Sequence, residues 1–138
     1  KTKVIHSKYK SKENYNMVKV KSQIEENIKK REFTVLDARS RNRFLGLKPE
    51  PRPGIKGGSI EGSKSLPLSE LVNKKDNTFL NKKKLKDIFN LKGINNNKIV
   101  MSCGSSVSAA SLALAYSIIN ADYMSKIYIG SWTEYGKE

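Results

Sequence analysis

A chain of 138 residues, with 27 Lys and Arg against 13 Asp and Glu, carries a net charge of +14 and a hydrophobic share of 37%. That allows one domain with one core. No run is long and apolar enough to span a bilayer, no charged-apolar-small leader opens the sequence, and the chain is expected to be soluble with no membrane partner. It begins with lysine rather than methionine, which suggests a piece of a longer protein.

The positive charge raises the question of nucleic acid. Lysines are scattered through residues 1–30 and then cluster at Lys74-Lys75 and Lys82-Lys83-Lys84-Lys86. Asparagines accompany them, as in Asn95-Asn96-Asn97, and aromatic residues are not interleaved with the basic ones in any single-strand-binding pattern. That distribution describes solvated surface, so no nucleic-acid partner is expected, although the basic field favours small anionic substrates. One cysteine, Cys103, and one histidine, His6, exclude an internal disulfide and a closed protein-only zinc site. No metal or other cofactor is expected.

Residues 1–16 are polar, basic and aperiodic, and are expected to be a linker or tail, leaving 17–138 as the domain. Residues 17–20 alternate and suggest a short edge strand. Ser22-Gln23-Ile24-Glu25 has the spacing of a capping box and opens a predicted helix to about residue 31, with Ile24 and Ile28 on one face. Residues 33–36 form an apolar run ending at Asp37, the pattern of a buried parallel strand. Residues 40–67 hold all four prolines and five of the nine glycines and predict a long ordered loop, a kind of loop that tends to carry function. A short helix is predicted over 68–72. A better one spans 80–91, with Leu85, Ile88 and Phe89 at helical spacing and Gly93 placed to end it. Residues 98–102 predict a second buried strand, 107–119 an apolar helix, and 127–129 a third strand closed by Gly130. Strands alternating with helices predict an α/β domain with a mainly parallel central sheet flanked by helices.

The second strand delivers Cys103 into Gly104-Ser105-Ser106, immediately before a helix. Small residues let such a turn curl so that successive amides form an anion nest, and the helix adds its positive end. A thiolate or persulfide would be stabilised there. An isolated cysteine is more often a buried structural residue, but this turn favours a nucleophile. A tyrosine-type phosphatase would need an arginine six positions after the cysteine; Ala109 stands there, so no guanidinium can clamp a phosphoryl group.

Cys103-Gly104-Ser105-Ser106-Val107-Ser108-Ala109 resembles the active-site loop of 3-mercaptopyruvate sulfurtransferases, CGSGVTA, in the rhodanese superfamily. Thiosulfate-using rhodaneses carry an arginine and a lysine after the cysteine instead. Further motifs follow the family's order. Val35-Leu36-Asp37-Ala38-Arg39 resembles its DAR strand end, and Arg43-Phe44-Leu45-Gly46 with Pro49-Glu50-Pro51-Arg52 its RFxG and PEPR segments. Gly58-Ser59-Ile60-Glu61-Gly62-Ser63 resembles GHIPG(S/A), Leu66-Pro67 its NxP tail, and 129–135 DGSWxEW. Only the N-terminal stretch and residues 73–97 fall outside the resemblance.

The resemblance implies a rhodanese-like catalytic domain, the C-terminal one of a tandem pair. Cys103 would carry sulfur as a persulfide in a loop with Gly104, Ser105, Ser106, Val107 and Ser108. Arg43 and Arg52 would hold the substrate's carboxylate and keto oxygen. Arg39 is expected to form an internal ion pair, Asp37 to anchor the long loop through backbone amides, and Trp132 to pack beneath the site. Partners would be a small-molecule sulfur donor, a thiol acceptor such as thioredoxin, and an N-terminal rhodanese domain of the same longer chain, in cytoplasm or mitochondria. The alternatives are a thiosulfate sulfurtransferase, a non-catalytic rhodanese-like binding or regulatory module, and delivery of sulfur to tRNA or cofactor pathways. Four departures stand out. Ser106 replaces a glycine, which costs about 1 kcal/mol if that position needs a positive φ. Ser108 replaces threonine, and Asn42 stands where glycine precedes Arg43. Ser59 replaces histidine, so an imidazole would have to come from outside the domain.

Overall fold

A computed structural model describes residues 7–94 and 98–137. His6 and the Asn95-Asn96-Asn97 run lie outside the described residues. Five strands, β1 (Val18–Lys19), β2 (Thr34–Asp37), β3 (Lys64–Ser65), β4 (Ile99–Ser102) and β5 (Lys126–Tyr128), form one sheet in the order β1-β5-β4-β2-β3. Every pair is parallel. The helices are α1 (Lys21–Lys30), α2 (Arg41–Phe44), α3 (Lys82–Leu91), α4 (Val107–Ile119) and α5 (Ser131–Tyr135), with single 3-10 turns at Tyr15–Met17 and Leu68–Glu70. This is the predicted α/β architecture, with all strands parallel.

The central strands alternate between two cores, as a sheet covered on both faces requires. Leu36 and Met101 turn toward α3 and α4, into a cluster with Leu85, Phe89, Leu112 and Tyr116. Val35, Val100 and Tyr128 turn the other way, onto Ile24 of α1 and Trp132 of α5. Fully burying a Leu or Phe of this kind stabilises by about 2 kcal/mol relative to exposure. Edge strand β1 is short and partly exposed, as 17–20 suggested. Asn81 caps α3 through its side chain, accepting from the Lys84 amide at 3.0 Å, and Gly93 follows its end at φ +67°. No helix among the described residues is long and apolar enough to cross a membrane.

The structure corrects three expectations. The capping box does not sit on Ser22: the cap is Val20, two residues earlier, and Gln23 Oε1 accepts from the Val20 amide at 3.2 Å. Gln competes as well as Glu for that role, and valine at the cap position offers no hydroxyl. Residues 40–67 are not loop throughout, because α2 and β3 lie within them. Asn42 sits inside α2. Five residues after Gly130 also form α5, which periodicity could not announce in so short a segment.

Strand order reverses between β2 and β4. From β2 the chain goes outward to β3, while from β4 it goes the other way to β5. Register aligns Asp37 with Ser102, so the β2 exit and Cys103 emerge side by side at this switch point. Open α/β sheets place their ligand crevices there.

Candidate active site

At that crevice a cleft of about 440 Å³ is lined by Ala38, Arg39, Ser40, Arg43, Pro51, Arg52, Cys103, Gly104, Ser105, Val107 and Ser108. Three other clefts, of about 420, 610 and 460 Å³, are lined by residues that include no cysteine. Of the sequence-predicted site residues, Cys103, Gly104, Ser105, Val107, Ser108, Arg43 and Arg52 line this cleft, and Ser106 does not. Cys103 forms the floor and is 3% exposed.

One wall is charged. Arg39 is buried and its guanidinium meets the Asp37 carboxylate at 2.6 Å and Glu50 at 2.8 Å, donates to the Gly58 carbonyl, and lies 4.6 Å over the Trp132 ring. Arg39 is thus the internal ion pair expected of it. Among the described residues Asp37 accepts one backbone amide, that of Arg39 itself at 2.9 Å, and otherwise serves the guanidinium. The long loop is instead held by Arg39, through Glu50 and Gly58. Trp132 packs beneath, its Nε1 donating to the Lys56 carbonyl at 2.9 Å.

Glu50 is the residue whose role the sequence did not disclose. Its side chain is only 4% exposed, and it is shared between Arg39 and Arg43. Arg43 donates through Nε at 3.1 Å and through Nη2 to the two Glu50 oxygens, so one edge of that guanidinium is committed. Burial alone would push the Glu50 carboxyl up, but the Arg43 hydrogen bond and the charges of both arginines outweigh it and hold the group below its ordinary value. The Glu50 hydrogen bond, opposed by burial and aided by the charges of Glu50, Asp37 and Cys103, raises Arg43 further above its already high value. The only available signal was the spacing of Glu50 two residues before Arg52 in Pro49-Glu50-Pro51-Arg52.

The other wall is backbone. The carbonyls of Cys103 and Gly104 accept from the Trp132 and Thr133 amides at 2.9 and 3.0 Å, and Thr133 Oγ1 also donates to the Gly104 carbonyl. Two oxygens that would repel an anion are thereby turned onto α5. The Cys103 and Ser106 amides are occupied by Ser131 Oγ. They are lost to the expected nest, whereas no acceptor among the described residues takes the Gly104, Ser105, Val107 or Ser108 amides. Those amides, at a turn leading into α4, can receive negative charge on sulfur. Ser106 has φ +68°, so the position that is glycine in the resembling loop does require left-handed backbone. Ser105 is exposed at the rim and Ser108 is half-buried.

The two walls meet at Gly104. A Cβ there would lie 3.0 Å from Arg43 Nη2, so the glycine makes room for the arginine. Arg52 also lines the cleft, exposed, its Nη1 donating to Thr133 Oγ1 at 3.0 Å.

A sequence profile of the rhodanese-like domain matches residues 20–138. The chain belongs to the rhodanese-like domain family. It is 38% identical over 117 residues to thiosulfate/3-mercaptopyruvate sulfurtransferase 1, mitochondrial, of Arabidopsis thaliana, covering 84% of this chain and 30% of that protein. It is 35% identical over 120 residues to the 3-mercaptopyruvate sulfurtransferase of Homo sapiens, covering 86% and 39%. Among solved structures, the sulfur transferase subunit of the yeast mitochondrial complex I superposes with TM-score 0.77 at 31% identity, over 86% of this chain and 42% of that one. This rhodanese-like chain thus spans less than half the length of these relatives.

Proposed function

We propose that this chain is the sulfur-carrying domain of a 3-mercaptopyruvate sulfurtransferase and that Cys103 is the carrier. One observation carries the proposal: a cysteine among unoccupied amides faces Arg43 and Arg52 across a single cleft. The Cys103 thiolate attacks the sulfur of 3-mercaptopyruvate. The carbon–sulfur bond breaks with its electron pair going to carbon, the pyruvate enolate takes a proton, and Cys103 persulfide remains. An acceptor thiolate, such as that of thioredoxin, or cyanide in vitro, then attacks the outer sulfur and the Cys103 thiolate leaves. The free amides of Gly104, Ser105, Val107 and Ser108 stabilise sulfur-centred charge in both steps. Arg43 and Arg52 take the donor's carboxylate and keto oxygen, a task suited to planar guanidinium groups.

The charge distribution favours mercaptopyruvate over thiosulfate. Gly104 and Ser105 bring no cation to the sulfur, and Arg43 occupies the space that a side chain at 104 would need. The one histidine, His6, lies outside the described residues, and an N-terminal rhodanese domain of the same longer chain is the proposed source of any imidazole. The setting we propose is cytoplasmic or mitochondrial. The test is intact mass after incubation with 3-mercaptopyruvate and, in parallel, with thiosulfate. The expected result is one added sulfur atom from mercaptopyruvate only, removed by added thiol. Loading from thiosulfate alone would overturn the donor assignment, and loading from neither would favour a non-catalytic module.

A further inference from the structure

Ser106 and Ser131 are two hydroxyls outside the sulfur chemistry that meet behind the cysteine loop, 3.3 Å apart. Ser131 is fully buried and, like Ser106, has left-handed backbone, φ +51°. Its proton goes to the Tyr128 carbonyl at 3.0 Å, and its oxygen accepts the Ser106 amide at 3.1 Å and the Cys103 amide at 3.4 Å. One hydroxyl therefore holds both ends of the turn that carries the sulfur. The Ser106 hydroxyl acts from the other side and donates to the Ile129 carbonyl. With left-handed backbone and no cap from its own side chain to α4, Ser106 is strained for a residue bearing a Cβ. The hydroxyl tether offsets that strain.

We infer that Ser131 and Ser106 are positioning residues that latch the Cys103 loop onto the β5–α5 corner, and that the Ser106 hydroxyl does the work that glycine's conformational freedom would otherwise do. The Cys103 and Ser106 amides are thereby fixed behind the sulfur, beside the Cys103 and Gly104 carbonyls that the Trp132 and Thr133 amides hold, which aims the remaining amides into the cleft. Position 106 then tolerates a residue that relaxes the backbone or one that ties it down. Alanine does neither.

The inference rests on Cys103 being the sulfur carrier, and the test separates the two claims. Ser106→Ala, Ser106→Gly and Ser131→Ala are made in the intact protein. Two rates are read: mercaptopyruvate loading of Cys103 by intact mass, and iodoacetamide labelling of Cys103. Losing one positioning hydrogen bond lowers the loading rate about fivefold to tenfold in Ser106→Ala and Ser131→Ala. The donor KM stays unchanged, because Arg43 and Arg52 are untouched. Labelling accelerates in the same two variants as the buried thiol is released. Ser106→Gly recovers most of the loading rate that Ser106→Ala loses, and labels near the wild-type rate. Wild-type loading and labelling in Ser106→Ala overturns the latch, as does a Ser106→Gly variant no better than Ser106→Ala. Should Ser131→Ala fail to fold, the Ser106 pair still decides. If the wild type loads from no donor while labelling follows the expected order, the latch stands and the donor assignment falls.

Discussion

The two walls of the cleft are built on opposite physical plans. The wall after β2 is made of long charged side chains: Asp37, Arg39, Glu50 and Arg43 form a chain of alternating charge running from the sheet to the cleft. The wall after β4 is made of backbone, with two amides held by the Ser131 hydroxyl and two carbonyls turned onto the α5 amides, so that the remaining donors face the cleft. The charged wall suits recognition of a substrate whose charge is fixed. The backbone wall suits charge that moves between sulfur atoms, since it stabilises an anion without adding a competing cation. Each wall should therefore fail in its own way.

The largest effect is expected at Glu50. Glu50→Gln leaves Arg43 without its counter-charge and weakens Arg39's hold on the long loop. Removing one partner from a buried ion pair costs about 3 kcal/mol, read as a lower denaturant midpoint, and donor KM rises as Arg43 loses its fixed edge. A Gln variant with wild-type stability and KM would remove the charged wall from the account. The same network sets an acid limit. Because the folded-state pKa of Glu50 is depressed, its contribution is fully present above the ordinary carboxylate value, near 4.3, and is lost as pH falls through the lower folded value. The stability difference between wild type and Glu50→Gln should accordingly shrink in acid below that value, as followed by urea titration.

A smaller effect is expected where the walls touch. Gly104→Ala places a methyl group 3.0 Å from Arg43 Nη2, and the arginine tip must move by a few tenths of an ångström. Donor KM should rise about threefold, well short of the tenfold that 1.4 kcal/mol would give, while iodoacetamide labelling of Cys103 stays unchanged. Faster labelling would mean that the two walls are not independent.

The walls were also unequally legible in the sequence. Strands β2 and β4 announced themselves as apolar runs, and helix α4 was bounded correctly, because burial on both sheet faces and a continuously apolar helix leave strong patterns. Cys103, Arg43 and Arg52 were visible as motif residues, and the structure brings them to one cleft. Glu50 was not visible as a hub, because pairing Arg39 with Arg43 depends on a loop fold that no periodicity encodes. Ser131 was hidden for a related reason. It is 28 residues from Cys103 in sequence, and its role is to accept amides, which any hydroxyl-bearing residue in that place would do. Position 106 lay between these cases. The departure from glycine could be read, but only the observed φ of +68° showed that it mattered.

The most direct test of the sulfur-carrier claim is Cys103→Ser, assayed for sulfur transfer from 3-mercaptopyruvate to cyanide. Complete loss of transfer is expected, with a melting temperature within about 3 °C of wild type, since a buried thiol gives way to a near-isosteric hydroxyl. Retained turnover in a folded Cys103→Ser protein would contradict it.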